Sequence, residues 1–320
     1  MKNSWTGMVA TLLVGCTSGV DLSSQYAAYD AAFRQEHEQI IHTVPRDGFT
    51  LHAREFAPDD IETSDAPYIL MHGFPDSLHL YDRLAPLLAK KRRVITFDFL
   101  GWGNSDKPED HRYDVASLRR DLEAVIAYFG LRRVRLMVHD ASGLPGIDYA
   151  IDNPDRTVEL ILLNTLYAPS EKRIMPPSIK RFSTLGLRRD LLIFGAKRSD
   201  SLWRDGHAGQ VGAFFADSEI RDQYLPIFSH QALGIRPAFF GLTGVWTAEV
   251  QARARRVAQL RHLEVPTKII FGTEDPYLNP ALAHELGHLI PNVRLWLVES
   301  AGHYVQLDRP EEVARLVLDT

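Results

Sequence analysis

The chain has 320 residues and a single cysteine, so no disulfide and no cysteine-rich zinc site can form within it. No run reaches the roughly 18 apolar residues that a membrane-spanning helix requires. Acidic and basic side chains nearly balance, 41 against 36, for a formal net charge of −5. That balance gives no support for a nucleic-acid partner, which would call for a dominant basic stripe. Thirteen histidines are present, but none falls in HExxH or a comparable ligand spacing, so metal catalysis is not expected. Nor does any internal repeat or low-complexity segment appear. These absences leave an ordinary globular chain, long enough to bury a large core. Nothing in the sequence speaks to oligomeric state.

The chain opens MKNSWTGMVATLLVGCTSG, with one lysine, a short apolar run and Leu13-Val14-Gly15-Cys16. This is similar to a bacterial lipoprotein signal, in which small residues precede a cysteine that is lipidated after cleavage. Lipidation of Cys16 would hold the protein on a membrane from the periplasmic side, through a lipid anchor alone. On the other reading, residues 1–33 are a plain extension of a cytoplasmic protein. They are set aside from the fold on either reading.

From about residue 40 the chain alternates two kinds of segment. PYILMHGF, RRVITFDF, VRLMVHD, VELILLNT, TKIIFG and VRLWLVES are short apolar runs, read as buried strands. LYDRLAPLLAKK and VASLRRDLEAVIAYFG repeat apolar residues at helical spacing. IIHTVPRDGFTLHAREFAP reads as two strands around an Asp-Gly turn. Continuous apolar strands between amphipathic helices indicate an α/β fold with a mostly parallel twisted sheet covered on both faces. The alternation fails over 169–250, which carries a proline pair and many aromatics. This stretch is expected to be a helical cap inserted between two core segments, 34–168 and 251–320. Trp203, Tyr224, Phe239 and Phe240 are its candidates for lining a pocket, and the plainer reading is that most of its aromatics fill its own core.

In open α/β sheets ligands bind beyond the carboxyl ends of the strands, so polar strand ends are the places to search for chemistry. Asp140 ends VRLMVHD and is followed by Ala141, Ser142 and Gly143. A strand-to-helix turn this sharp strains the residue at its apex and demands small neighbours. Val138, two residues before it, is larger than such a turn prefers. His72-Gly73-Phe74-Pro75 ends another strand, and a tight turn there would aim the Phe74 N–H beside that of Ala141, forming an oxyanion hole. Gly302-His303 and Glu274-Asp275 follow two later strands. The plainer readings are a helix-capping acid for Asp140, a loop histidine for His303 and a turn residue for Asp275.

In this order HGFP, DFLGWGNSDKP, VHDASG, FGTEDP and AGHYVQLDRPEEVA resemble the α/β-hydrolase superfamily. An aspartate at the elbow resembles its aspartate-nucleophile branch, which holds epoxide hydrolases, haloalkane dehalogenases and lactone-acting enzymes. The resemblance implies a nucleophilic role for Asp140, a general base in His303, and an acid orienting that base. Asp275 is the candidate acid, with Glu274 as its rival, because the earlier family position holds Asn164. Dehalogenases usually hold the halide with a tryptophan after the nucleophile and an asparagine after His-Gly; Ala141 and Phe74 stand there. Epoxide hydrolases use cap tyrosines, and Phe239 and Phe240 occupy one expected stretch, leaving Tyr224 and Tyr167, with Tyr81 and Tyr304 nearer the core. Epoxide opening leads narrowly among the expected activities, ahead of dehalogenation and β-lactone opening; the resemblance implies a small-molecule substrate and water, without a cofactor. A non-catalytic relative that keeps the pocket as a receptor is the reading from a different class.

Overall fold

The computed structural model describes residues 21–57 and 66–319, so Cys16 and the rest of the lipoprotein-like opening lie outside the described residues. The chain runs through helix α1 (Leu22–Glu36), strands β1 (Ile40–Arg46), β2 (Phe49–Phe56) and β3 (Tyr68–Met71), and a short helix α2 (Ala85–Ala89). Strand β4 (Val94–Phe97), α3 (Val115–Tyr128), β5 (Val134–Asp140), α4 (Gly143–Asp152) and β6 (Thr157–Thr165) follow. Five helices then come in succession: α5 (Pro177–Ser183), α6 (Leu187–Arg198), α7 (Asp200–Gly212), α8 (Ser218–Gln231) and α9 (Arg236–Arg253). After α10 (Val257–Leu260), the strands β7 (Thr267–Gly272) and β8 (Val293–Val298) return to the sheet, separated by α11 (Pro280–Leu289) and followed by α12 (Val305–Asp308) and α13 (Pro310–Leu318). Among the described residues no helix is long and apolar enough to cross a membrane.

The eight strands form one sheet in the order β1-β2-β4-β3-β5-β6-β7-β8, antiparallel from β1 to β4 and parallel beyond. Asp47 and Gly48 turn the β1–β2 hairpin with φ of 48° and 85°, the left-handed pair that a two-residue hairpin turn needs. In the centre, β3 and β4 are buried at every residue, which is why they carry unbroken apolar runs. Side chains alternate across β5: Leu136 and Val138 join the core on one face of the sheet and Met137 the core on the other. Chain order reverses at β3, which lies between β4 and β5. A crevice opens at such a reversal, beyond the strands' carboxyl ends.

Residues set aside in the sequence reading form part of this body. Asp21 caps α1 by accepting from the Ser23 N–H, and Tyr26, Tyr29 and Phe33 follow at intervals that place them on one face. Tyr26 stacks on His230 of α8 and its hydroxyl is 3.1 Å from His79 Nε2. Tyr29 donates to Asp82. Asp30 pairs with Arg54, a fully buried arginine on β2 that also holds Asp82.

Candidate active site

Asp140 stands at the crevice, where its backbone departs from the strand. Pairing with β6 shifts register between His139 and Asp140, and the φ of Asp140 is 50°. A non-glycine residue held there stores strain of order 1–3 kcal/mol, which the surrounding packing must impose. Two glycines make the packing close enough. A Cβ on Gly73 would lie 2.6 Å from the Cβ of Asp140, so the end of β3 reaches the carboxylate only without a side chain. A Cβ on Gly146 would lie 2.3 Å from Cγ1 of Val138. The room Val138 needs before the elbow is thus supplied one helical turn after it.

The Asp140 carboxylate accepts the Phe74 N–H at 3.2 Å, and the Ala141 N–H also binds it. Burial holds this carboxyl above the ordinary carboxylate range, against the opposing pull of His303 and these two N–H groups. Ser142 is no rival. Its hydroxyl lies 2.8 Å from the carbonyls of both Met71 and His139 and is fully buried.

His303 and Asp275 meet across the neighbouring strand ends. Nδ1 of His303 is 2.7 Å from Oδ2 of Asp275, and both residues are buried. Asp275 is held rigidly: Oδ1 accepts from the N–H groups of Tyr277 and Leu278, and Oδ2 also accepts from Asn164 Nδ2 at 2.9 Å. Asn164 is fixed in turn by the Gly272 N–H, which it accepts at 3.0 Å. The residue that occupies the alternative acid position therefore orients the acid. Burial disfavours charge on the His303 imidazole, but Asp275, with Asp140 and Asp76 behind it, outweighs burial and pushes it up to about 9. Burial would raise Asp275, and its partner His303 holds it below the usual range instead. Glu274 is exposed and has no part in this pair.

Asp140 and His303 line one small cavity of about 30 Å³, together with Phe74, Arg173, Phe214 and Trp246. That is room for about one water. Larger clefts on the surface, such as one of about 560 Å³ beside α1, contain none of these groups. The cap aromatics expected at the pocket stand elsewhere. Trp203 donates its indole N–H to the Ala232 carbonyl and packs against Phe239 and Phe240, in a layer behind Phe74. The Tyr224 hydroxyl lies 3.2 Å from that of Tyr29, facing α1. Tyr167 donates to Asp148, Tyr81 to the Met71 carbonyl and Tyr304 to Asp76. Trp246 and Phe214 take the places that spacing alone could not assign.

Two polar residues of the site escaped the sequence reading. Arg173, in the loop between β6 and α5, is half-buried, lines the cavity, and lies with Cζ 5.7 Å from the centre of the Trp246 ring. Burial disfavours its charge, Asp140 favours it, and no carboxylate pairs with it among the described residues. Asp76, in the HGFPDS segment, is buried with Oδ1 on the Tyr304 hydroxyl and Oδ2 without a partner among the described residues. Burial, with Asp140 nearby, pushes it up to about 7 despite the Tyr304 bond. His72 and Asp98 serve the loops, as expected: His72 Nε2 accepts from the Phe99 N–H, and Asp98 from Leu78 and Asn104. The described residues contain no cluster of three or more metal-ligating side chains.

The family model for the alpha/beta hydrolase fold matches residues 67–310. A haloalkane dehalogenase of Mycolicibacterium paratuberculosis is 30% identical over 266 residues, 79% of this chain and 82% of its own. A cis-3-alkyl-4-alkyloxetan-2-one decarboxylase of Shewanella oneidensis is 27% identical over 85% of each chain. The bifunctional epoxide hydrolase 2 of Sus scrofa is 20% identical over 81% of this chain and 52% of its own length.

Proposed function

We propose, for a chain that belongs to the α/β-hydrolase family, a two-step hydrolysis through an ester formed on Asp140. The observation that supports it is one arrangement: a carboxylate at a strained elbow, two backbone N–H groups on it, and a His–Asp pair in the same cavity. In the first step an Asp140 oxygen attacks an sp³ carbon of the substrate. The new C–O bond forms as the leaving group departs with its electron pair. In the second step His303 Nε2 takes a proton from water, and the hydroxide adds to the carbonyl carbon of the ester. The oxyanion sits on the Phe74 and Ala141 N–H groups. Collapse breaks the acyl C–O bond, the departing alkoxide takes the proton from His303, and Asp140 is restored.

A single turnover in H₂¹⁸O tests the route, since the water oxygen must end in the Asp140 carboxylate. Replacing His303 with glutamine should leave the ester on Asp140, visible as an intact-mass adduct. An adduct on Ser142, or label only in the product, overturns the reading.

The leaving group is read from the charges around the carboxylate. Arg173, a half-buried cation with no acidic partner among the described residues, suits a group that departs as a stable anion, either a halide or the carboxylate of a β-lactone opened at its alkyl carbon. The dehalogenase and oxetanone relatives fit that class. Epoxide opening, first in the sequence reading, needs a proton donor instead, and the tyrosine hydroxyls proposed for it are bonded elsewhere. One observation keeps it as the second reading: Asp76, close enough to Asp140 to feel its charge, is pushed up to about 7 by burial, and its Oδ2 has no partner among the described residues. Adduct formation by the His303→Gln variant with a bromoalkane, a β-lactone and an aryl epoxide of similar size ranks the three.

A further inference from the structure

Most large apolar side chains that remain exposed lie on one part of the molecule. Leu185, Leu187, Leu191 and Phe194, on α6 and the turn before it, are 56–74% exposed, and Leu202 on α7 is 61% exposed. Leu187, Leu191 and Phe194 fall at i, i+4 and i+7, so they share a face of α6. A solvated helix should not spend its outer face this way. The same segment is strongly basic. Residues 177–198 hold six Lys or Arg and one Asp in a chain whose net charge is −5. Lys180, Arg181, Arg188, Lys197 and Arg198 are exposed, and Arg198 lies 4.4 Å over the ring of Phe194. The face begins at the rim of the catalytic cavity, where Ile174 both lines the cavity and is 55% exposed.

We propose that the outer face of α5 and α6 docks on an anionic lipid bilayer, its leucines and Phe194 entering the interface and its basic side chains meeting the headgroups. Charge selects this occupant. A second copy docking through the same face would bring two basic clusters together, whereas anionic lipid complements them. Interfacial helices combine an apolar face with Lys and Arg in this way, and each basic side chain near such a surface contributes roughly fivefold in affinity. Docking sets the rim of the cavity against the lipid.

The test is vesicle flotation with the full-length chain carrying Cys16→Ser, so that no acyl chain contributes. Phosphatidylglycerol vesicles should float the protein, phosphatidylcholine vesicles should not, and raising the salt tenfold should weaken capture. Lys180, Arg181, Lys197 and Arg198 changed together to Glu should abolish capture, and Leu187→Gln with Leu191→Gln should weaken it at least tenfold. These side chains are exposed, so thermal unfolding should be unchanged. No capture by anionic vesicles, or capture indifferent to both sets of changes, overturns the proposal. So does equal capture by neutral vesicles. Concentration-dependent dimerisation lost in the Leu187/Leu191 variant, without capture, gives the face to a second copy. Capture that appears only after removal of residues 1–20 gives it to that segment.

Discussion

Changing Asp275 to asparagine should stop the second half of the reaction and leave the first half standing. The reason lies in four hydrogen bonds. Oδ1 accepts from two backbone N–H groups that cannot turn away, so the amide oxygen of an asparagine must stay there. Its NH₂ is then forced toward Asn164 and His303. Asn164 cannot flip to receive it, because its own oxygen is held by the Gly272 N–H. His303 must accept instead, with its proton moved to Nε2, the nitrogen that should take a proton from water. The change also removes the largest of the charges that push His303 up to about 9, and with it the main partner of the imidazolium formed during ester hydrolysis. Loss of that charge and the wrong tautomer together should slow ester hydrolysis by up to about 10⁴, the size found for the same change in a serine-protease triad. Rapid-quench kinetics should therefore show one equivalent of leaving group released quickly, then near-arrest, with the ester visible by intact mass. Turnover within tenfold of the parent, in a variant with unchanged thermal stability, would refute the reasoning. Damage from Glu274→Gln with none from Asp275→Asn would show that the acid had been misplaced by one residue.

Arg173→Met should slow ester formation by roughly 10²–10³, as loss of one positioned donor does at oxyanion sites, and leave the rate of ester hydrolysis unaltered; the same rapid-quench traces separate the two. Gly146→Ala should cost about 1–3 kcal/mol through its collision with Val138 Cγ1. Adding Val138→Ala should return part of that loss, and denaturant melts of the four variants in the cycle measure the coupling. For pH, the folded His303 pKa of about 9 lies above its ordinary 6.5, so its contribution to stability is complete below about 6.5 and is lost as pH rises through 9. The melting temperature of the parent should thus fall more between pH 6.5 and 9.5 than that of His303→Gln, and parallel falls would contradict the assignment.

The polar strand ends were legible because the chemistry and the turn geometry both constrain them locally. Asp140 needs small residues behind it, and those residues are adjacent in sequence. The pairing of His303 with Asp275 is readable for a similar reason, as each follows its own strand. Cavity lining is a different matter. Which aromatic of α7 to α9 faces Asp140 depends on how the helices rotate over the sheet, so Trp203 and Trp246 are equivalent in composition and opposite in placement. Asn164 was read only for the charge it lacks, whereas its two-sided amide suits it to hold Asp275 and Gly272 at once. Helix α1 could have been found from the spacing of Tyr26, Tyr29 and Phe33 behind a capping aspartate. A weakly polar helix whose partners lie far along the chain gives little other sign.

That distance has a consequence for how the molecule is made. Tyr29 and the Tyr224 it touches are 195 residues apart, which at roughly 5–20 residues per second of synthesis is about 10–40 s on the ribosome. Helix α1 leaves the exit tunnel with the first part of the chain, yet half of its seat is not translated until α8 emerges. During that interval the part of its aromatic face that meets α8 is bare, while Phe33 and Asp30 can already meet Phe56 and Arg54 of β2. The first helix of the described residues is thus among the last to be fully seated, and a ribosomal pause before residue 231 lengthens the time that a chaperone has to find it.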